Sequence, residues 1–158
     1  MANQKTNVMR ILDSGKISYN VYTYDSKGGA IDGVSVAEKI GQPVEKVFKT
    51  LVTRGNSKNF FVFVIPVNKE LNLKAAAKAV GEKSVEMIRV DEINKVTGYI
   101  RGGCSPIGMK KDYKTVIDST CENLDTFIFS AGKIGFQVEV SPKELIELIK
   151  ANVDMIAE

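Results

Sequence analysis

The 158-residue chain contains no histidine and only two cysteines. Without histidine, the sequence cannot assemble a Ser-His or Cys-His relay, and it cannot hold a histidine-ligated metal. Any chemistry that the chain carries out must therefore use lysine, hydroxyl groups, carboxylates, backbone amides or a group that the substrate itself brings.

The two cysteines, Cys104 and Cys121, are too few and too widely spaced for a disulfide framework or a zinc cluster. We expect both to be reduced thiols. The carboxylates form no paired constellation, and no glycine pattern matches a Walker A sequence or a dinucleotide fingerprint. The sequence therefore predicts neither a metal nor a cofactor.

Long apolar runs are also absent. The longest run, Phe60 to Ile65, is too short to cross a membrane, and its β-branched and aromatic residues are typical of a buried strand. The polar residues 1–7 are not followed by an apolar segment of the signal-peptide type. These features predict a cytoplasmic protein with no membrane partner.

A strong excess of one charge is absent too, since the formal net charge is +3 and the isoelectric point is about 8.8. This balance permits local, salt-sensitive contact with RNA but falls short of an autonomous nucleic-acid binder. Hydrophobic residues make up 44% of the chain and charged residues 26%. Residues 1–158 therefore have the size and composition of one domain with a sizeable core.

Four segments have the spacing or the capping residues of helices. They are residues 7–12 before Gly15, a capping box from Ser35 to Glu38 before Gly41, residues 73–80 between Asn72 and Gly81, and a last helix opened by Ser141, Pro142 and Glu144. A shorter helical turn is predicted over residues 91–96.

Strand patterns fill most of the remaining chain. Period-two alternation predicts a strand from Ile17 to about Tyr24. Two β-rich runs, Val47 to Thr53 and Asn59 to Ile65, are joined by a polar connection that predicts a hairpin at the centre of the sheet. Further strands are predicted over residues 85–88, 115–118, 126–129 and 136–140. The predicted class is α/β of the α+β type, a mixed, mostly antiparallel sheet with peripheral helices.

Two glycine-punctuated loops, residues 102–108 and 130–135, are the best clue to function. Glycine is placed where the backbone turns sharply or approaches another group closely, and a ligand is one such group. The first loop could present backbone amides to an anion or a carbonyl group, as nests of N–H groups do. Alternatively, it is only a tight connection.

Three polar side chains each have two interpretations. Lys49 is either a cation at a pocket wall, available to a phosphate or a carbonyl oxygen, or a lysine on the solvent face of its strand. The Ser130 hydroxyl either positions a substrate or belongs to a β-turn. Cys104 has no histidine to activate it, so a small packing residue is the better interpretation.

Basic residues cluster in sequence around the two loops. They could line a path for an RNA backbone, or they are ordinary basic residues of surface loops. The residues are Arg101, Lys110, Lys111, Lys114 and Lys133.

Four motifs together resemble the YbaK/EbsC family, free-standing relatives of the editing domain inserted in bacterial prolyl-tRNA synthetase. The motifs are Tyr22 to Tyr24, Val47 to Leu51, Thr97 to Gly108 and Ser130 to Gly135. They occur in the order and at the spacing of that family, from the first predicted helix to the last. The resemblance implies a single editing domain with a curved or barrel-like sheet.

The resemblance also implies an activity, the hydrolysis of mischarged aminoacyl-tRNA and above all of Cys-tRNA(Pro). In the mechanism that the resemblance implies, the enzyme supplies no nucleophile. The thiol of the bound cysteine attacks its own ester carbonyl, cyclises to a thiolactone and releases the tRNA. A site without histidine is compatible with such a reaction.

Particular residues receive roles from the resemblance. Lys49 matches the family's essential lysine and would hold the phosphate or ribose region of the terminal adenosine. Gly102 and Gly103 would place backbone close to the aminoacyl group. Further substrate contacts are implied for Tyr24, Thr50, Ser130 and Gly132, and contacts with the acceptor end of tRNA for Arg101, Lys110, Lys111 and Lys133.

The implied partners are tRNA and prolyl-tRNA synthetase. Ala131, Gln137 and Cys104 depart from the usual residues of the family, and Gln137 stands where many relatives have an aspartate. Two alternatives stay open: a deacylase that uses water on another small mischarged residue such as alanine, and a binding module without catalytic activity.

Overall fold

The computed structural model describes residues 5–29 and 31–158. Within this part, the chain forms five α-helices and eight β-strands, besides short 3-10 helices at Val44–Lys46, Val90–Glu92 and Ser119–Asn123. The α-helices are α1 (Asn7–Ser14), α2 (Gly33–Ile40), α3 (Leu73–Val80), α4 (Ile93–Thr97) and α5 (Pro142–Ile149). The strands are β1 (Asn20–Thr23), β2 (Phe48–Gly55), β3 (Phe60–Pro66), β4 (Val85–Met87), β5 (Lys114–Asp118), β6 (Phe127–Ser130), β7 (Phe136–Val140) and β8 (Asn152–Asp154).

The larger sheet has five strands in the order β4-β2-β3-β5-β8. β2 and β3 form the predicted antiparallel hairpin, in which Lys49 lies opposite Ile65 and Thr50 lies opposite Val64. β5 runs parallel to β3, and β8 runs parallel to β5. β3 is therefore the central strand, and its residues after Phe60 are all buried, as its apolar sequence predicts.

The smaller sheet has three antiparallel strands in the order β1-β7-β6. A parallel bridge between Val47 and Ile128 joins it to the larger sheet. The described strands therefore form two joined sheets rather than a closed barrel. The predicted class, α/β of the α+β type with mostly antiparallel strands and peripheral helices, is confirmed.

The main core lies between the smaller sheet and the helices α1 and α5. Val8 and Leu12 of α1 and Leu145 of α5 are fully buried there. The rings of Phe48 and Phe127 meet edge-on, with 5.0 Å between their centroids. Because Phe48 belongs to the larger sheet and Phe127 to the smaller one, this core holds the two sheets together. Burying one such side chain contributes about 1.5–3 kcal/mol.

Two further clusters cover the remaining faces. Ala76 and Ala77 of α3 pack with Phe63 against the larger sheet. Ala37 of α2 packs with Val47, which forms the bridge between the sheets. Helix α2 therefore lies over the junction of the two sheets, which is where the candidate site is found.

Local sequence accounts for most helix ends, with one correction. The Asn72 side chain accepts the Ala75 N–H at 3.0 Å at the start of α3, as predicted. The capping box predicted at Ser35 is wrong, because α2 begins earlier and the Asp32 side chain accepts the Ser35 N–H at 2.7 Å. Aspartate and serine are equally good acceptors at this position, so the local pattern allowed both starts.

Two strands also differ from the sequence prediction. The first strand covers only Asn20–Thr23, because Ile17 is buried in the main core and β1 pairs with β7 from Asn20 onward. The short strand β8 was not predicted. Tertiary contacts hold the chain after it, since Asp118 Oδ1 accepts the N–H groups of Ile156 and Ala157 at 3.0 and 2.9 Å.

Candidate active site

A cleft opens at the junction of the two sheets, along one edge of β2. This edge is bridged to β6 at Val47 and is paired with β4 from Thr53 onward. Between these points, the described strands leave residues 49–51 without a partner on that edge. The cleft has a volume of about 120 Å³.

The walls of the cleft come from several parts of the fold. They are formed by the start of β2 (Val47, Phe48, Lys49 and Thr50), the first glycine loop (Gly102 and Cys104), the smaller sheet (Ser130 and Gln137), the region of α2 (Ile31, Gly33 and Val36) and Val67. Four of the residues predicted from the sequence therefore meet here, namely Lys49, Thr50, Gly102 and Ser130.

The backbone of Thr50 faces the open edge. The Val67 N–H donates to the Val47 carbonyl at 2.9 Å, so Val47 and the alternate residues after it bond toward β3. On the opposite edge, the Ile88 N–H donates to the Val52 carbonyl at 3.2 Å. Since backbone groups alternate sides along an antiparallel strand, the N–H and C=O of Thr50 point toward the cleft.

Lys49 lies in the wall of the cleft and is half-buried. Its ammonium group has no carboxylate or hydrogen-bond partner among the described residues. A cation that is partly withdrawn from water and has no counter-ion attracts an anionic or carbonyl oxygen more strongly than an exposed lysine does. Of the two interpretations of Lys49, its placement favours the cation at a pocket wall.

The Thr50 hydroxyl is the second unpartnered group. Within the described part of the chain, Thr50 Oγ1 is the buried side-chain oxygen or nitrogen that lacks a hydrogen bond. Leaving such a group unsatisfied costs about 1–3 kcal/mol. A substrate group seated beside Thr50 would remove this cost.

The two glycine loops contact each other, and their glycines have different surroundings. Gly102 has φ 86° and lines the cleft. A Cβ on Gly103 would lie 3.3 Å from the Ile134 backbone nitrogen, so Gly103 permits the first loop to pack on the second. A Cβ on Gly132 would lie 3.1 Å from both Tyr99 and Val8. Gly103 is therefore packed against the second loop and Gly132 against Tyr99 and helix α1, and neither is among the described residues that line the cleft.

Ser130 and Gln137 lie directly opposite each other on β6 and β7. The Ser130 hydroxyl accepts the Gly132 N–H at 3.1 Å, which fixes the turn of the second loop. Gln137 is only 4% exposed, and its amide has no hydrogen-bond partner among the described residues. Gln137 therefore contributes to the cleft an amide whose hydrogen-bonding groups are available to a ligand.

Cys104 also lines the cleft, but its thiol is a poor nucleophile. Burial raises the pKa of the Cys104 thiol to about 11, although a hydrogen bond with Thr97 opposes the shift. The thiolate is the reactive form, and almost none is present at neutral pH. The placement agrees with the interpretation of Cys104 as a packing residue.

The other predicted contact residues lie outside the cleft. Tyr24 is half-buried, and its N–H donates to the Gly135 carbonyl at 3.0 Å, so it supports the second loop. Arg101, Lys110, Lys111 and Lys133 are exposed. Lys111 lines a separate surface groove, together with Lys114. The roles of these residues in binding substrate or tRNA stay predictions.

Sequence analysis missed the contribution of α2 to the site. A Cβ on Gly33 would lie 2.4 Å from Val67 Cγ1, so only glycine lets the first turn of α2 approach the end of the hairpin. The signal was the pair Asp32-Gly33, in which a helix-capping residue precedes a glycine at a position where helices ordinarily disfavour glycine.

A buried ion pair lies on the same face of β7 as Gln137. Glu139 is 6% exposed and meets the Lys46 ammonium at 2.7 Å. It also accepts hydrogen bonds from the hydroxyl groups of Tyr22 and Thr126. Burial alone would raise the pKa of Glu139, but these partners outweigh it and hold the pKa at about 2. Glu139 is therefore an ionised structural group at neutral pH.

Two negative observations concern the described residues. No group of three or more histidine, cysteine, aspartate or glutamate side chains is arranged there to hold a metal ion. No helix there has the length and apolar character to cross a membrane.

Comparison with known proteins identifies the family. The model of the aminoacyl-tRNA editing domain matches residues 31–148. A protein of Enterococcus faecalis (strain ATCC 700802 / V583), provisionally named Cys-tRNA(Pro)/Cys-tRNA(Cys) deacylase EbsC, is 45% identical over 145 residues, covering 92% of this chain and 88% of that protein. The proline–tRNA ligase of Fervidobacterium nodosum is 29% identical over 93 residues, which are 59% of this chain but only 16% of the ligase.

Solved structures show the same fold. The crystal structure of the hypothetical protein APE2540 superposes with a TM-score of 0.87 at 23% identity, covering 97% of this chain and 100% of that one. A protein provisionally described as a trans-editing enzyme for prolyl-tRNA synthetase superposes with a TM-score of 0.83 at 21% identity, covering 98% and 99% of the two chains.

The matched region contains all of the described residues that line the cleft. The predicted relationship to the YbaK/EbsC family and the predicted enzyme class, an aminoacyl-tRNA deacylase, are confirmed by the family model and the Enterococcus relative. The chain belongs to the aminoacyl-tRNA editing domain family.

Proposed function

We propose that this protein removes cysteine from mischarged Cys-tRNA(Pro) in trans, as one editing domain that spans residues 1–158. The observation that carries the proposal is the cleft, in which the predicted residues Lys49, Thr50, Gly102 and Ser130 come together within the region that matches the editing family. The choice of cysteine is supported by the 45% identity with the Enterococcus protein, whose provisional name specifies that amino acid.

The size of the cleft suits a small aminoacyl group. Its volume is about 120 Å³. An aminoacyl group such as that of cysteine or alanine is small enough for this cleft. The exposed residues Arg101, Lys110, Lys111 and Lys133 would meet the acceptor end of the tRNA outside it.

The residues of the cleft support a reaction in which the substrate supplies the nucleophile. The sulfur of the bound cysteine attacks its own ester carbonyl, the bond from that carbon to the 3′ oxygen breaks, and the thiol proton passes to the departing 3′ oxygen. Water then opens the thiolactone to free cysteine. The neutral Cys104 thiol offers no competing nucleophile at neutral pH.

In this reaction the protein contributes orientation and electrostatics. Lys49 would hold the phosphate or ribose of the terminal adenosine, and the backbone at Gly102 would face the aminoacyl group. Holding sulfur and carbonyl carbon in attack geometry is worth about 7–11 kcal/mol in favourable intramolecular cases. A preorganised donor to the developing oxyanion adds about 3–4 kcal/mol.

The experiment that tests the proposal measures release of labelled amino acid from Cys-tRNA(Pro) and Ala-tRNA(Pro). We expect the wild-type protein to release cysteine, and Lys49→Ala to slow this release by at least about 100-fold. Lys78→Ala is the matched control, since Lys78 is an exposed lysine on α3, away from the cleft.

Two other outcomes would contradict the proposal in whole or in part. Release of alanine as fast as cysteine would contradict thiol assistance and indicate a deacylase that uses water. No release of either amino acid would contradict the proposal and indicate a module that binds tRNA or the synthetase. We also propose prolyl-tRNA synthetase as the partner that selects the tRNA, which its addition to the same assay tests.

A further inference from the structure

The described lining of the cleft carries positive charge and no negative charge. Among the described residues that line it, Lys49 is the one with a charged side chain, and none is an aspartate or a glutamate. The cleft also meets the first turn of α2, through Gly33 and Val36. The amino-terminal end of a helix carries a partial positive charge. A cation bound in the cleft would therefore find no counter-ion.

The acidic groups nearest in the fold are already bound to other partners. On β7, Glu139 is paired with Lys46 at 2.7 Å. At the start of α2, the Asp32 side chain accepts the Ser35 N–H at 2.7 Å, and Asp32 does not line the cleft. In the first glycine loop, Arg101 adds another positive charge outside the cleft, and Cys104 is neutral at ordinary pH.

Two uncharged polar groups in the cleft lack partners. Gln137 lines the cleft, only 4% of the residue is exposed, and its amide has no hydrogen-bond partner among the described residues. The Thr50 hydroxyl is buried without a hydrogen bond. An amide offers both a donor and an acceptor, and a hydroxyl can do either.

A substrate brings its α-amine into this environment. The α-amine is bonded to the carbon next to the ester carbonyl, so a pose that seats the aminoacyl group in the cleft brings the amine close to the groups that line it. The oxygens of Thr50 and Gln137 can accept N–H donors from either form of the amine, so hydrogen bonding alone does not exclude an ammonium group. Its charge does, because the described lining offers no counter-ion, Lys49 adds a charge of the same sign, and removing an unpaired charge from water is unfavourable. The –NH₂ form has a lone pair and two N–H donors, which match the hydroxyl and the amide.

We propose that the cleft binds the esterified amino acid with its α-amine in the uncharged –NH₂ form, held by Gln137 and the Thr50 hydroxyl. The inference rests on the proposed function, because it assumes that an aminoacyl end enters the cleft. It makes Gln137 a residue that selects the protonation state of the substrate. Substrate recognition then strengthens as pH rises through the pKa of the α-amine.

The test uses two stable probes, so that neither hydrolysis nor a thiol contributes to the pH dependence. The probes are 3′-amino-3′-deoxyadenosine carrying an alanyl group or a propionyl group in amide linkage, and the second lacks only the α-amine. Calorimetry gives the dissociation constant of each probe between pH 6 and pH 9. A model α-amino group has a pKa of about 7.7–8.0.

For the wild-type protein, we expect the affinity for the alanyl probe to weaken about tenfold for each pH unit below the pKa of its amine, because the –NH₂ fraction falls by that factor. The propionyl probe should bind equally at every pH. In Gln137→Glu, a carboxylate of nearly the same shape provides a counter-ion, so the dependence for the alanyl probe should vanish or reverse. Asn59→Asp, at an exposed hairpin position, adds the same charge away from the cleft and should behave as wild type.

The wild-type comparison alone decides the question if Gln137→Glu does not fold. Binding of both probes with the same flat profile would overturn the proposal while leaving the proposed function intact. Tighter binding of the alanyl probe below the pKa of its amine would overturn it as well. Failure of both probes to bind at any pH would contradict the proposed function together with this inference.

Discussion

Two threonines on β2 have hydroxyl groups in different roles, one in a structural hydrogen bond and one in the candidate site. The Thr53 hydroxyl donates to the Phe61 carbonyl at 3.0 Å across the hairpin. The Thr50 hydroxyl, three positions earlier, is buried without a partner. Both side chains have the same chemistry, so the difference lies in their surroundings: Thr53 faces the packed interior, whereas Thr50 lines the cleft.

Replacing each threonine with valine separates these roles, because valine keeps the shape and removes the hydroxyl. We expect Thr50→Val to raise the free energy of unfolding by about 1 kcal/mol, since it deletes an unsatisfied buried group. The same change should slow deacylation about tenfold, because a substrate contact is lost. Urea unfolding and amino-acid release measure the two effects.

Thr53→Val serves as the matched control. It should lower the free energy of unfolding by about 1–2 kcal/mol, because the Phe61 carbonyl loses its donor, while activity per folded molecule stays unchanged. A Thr50→Val protein that is destabilised as much as Thr53→Val would show that the Thr50 hydroxyl has a structural partner after all.

At the scale of elements, the site depends on how closely α2 approaches the hairpin. The helix begins at Gly33, where a Cβ would overlap Val67, and its first turn forms one wall of the cleft. The position of this wall is therefore fixed by the absence of a single methyl group.

Gly33→Ala tests this dependence. The added methyl group must displace Val67 or the start of α2, so we expect the free energy of unfolding to fall by about 1–3 kcal/mol. Activity should fall further than stability explains, because the wall of the cleft moves. Gly28→Ala is the control, since a Cβ there meets no heavy atom within 4 Å and its φ is negative. Equal stability of the two variants in thermal unfolding would contradict the prediction.

The elements also show what sequence could and could not predict. Capping residues and period-two patterns are local, and they gave the hairpin of β2 and β3 and the helix that starts after Asn72. The bridge from Val47 to Ile128 joins residues that are far apart in the sequence, so no local pattern reports it. Val47, one partner in that bridge, lines the cleft.

The candidate site was predictable to a similar extent. Lys49, Thr50, Gly102 and Ser130 were named from motifs and do meet in the cleft. Gly33 and Val67 were missed because their importance lies in a contact between a helix and a distant strand end. Gly103 and Gly132 were given substrate roles by the family resemblance, and these roles stay predictions, because glycine placement signals a close approach without saying which group approaches.

At the scale of the whole molecule, one buried carboxylate ties the two sheets together. Glu139 belongs to β7 of the smaller sheet, and its partner Lys46 ends the 3-10 helix that leads into β2. Tyr22 of β1 donates to the same carboxylate at 2.7 Å. Together with the Phe48–Phe127 contact, this network connects the two sheets at the junction where the cleft lies.

The ion pair and hydrogen bonds of Glu139 make the free energy of unfolding depend on pH. The pKa of Glu139 is about 2 in the folded protein, below its ordinary value of 4.5, so its contribution is complete above pH 4.5 and is lost as pH falls toward 2. At pH 3 we expect a loss of about 2 kcal/mol that is absent in Glu139→Gln. Urea unfolding at pH 7 and pH 3 measures this difference.

Glu144→Gln is the control, because Glu144 lies on α5 and has no salt bridge among the described residues. The acid-induced loss should be the same in Glu144→Gln as in the wild type. If Glu139→Gln lost as much stability between pH 7 and pH 3 as the wild type does, other carboxylates would account for the acid sensitivity.

The open edge of β2 has a consequence for the behaviour of the protein in a crowded solution. Bare strand edges recruit strands of neighbouring molecules and promote aggregation. Here the unpaired stretch is limited to residues 49–51, is closed at each end by another strand and carries a lysine. An intruding chain needs a longer run of free backbone than this. The unpaired N–H and C=O groups in the cleft can therefore remain open to a ligand without pairing with a strand from another copy of the chain.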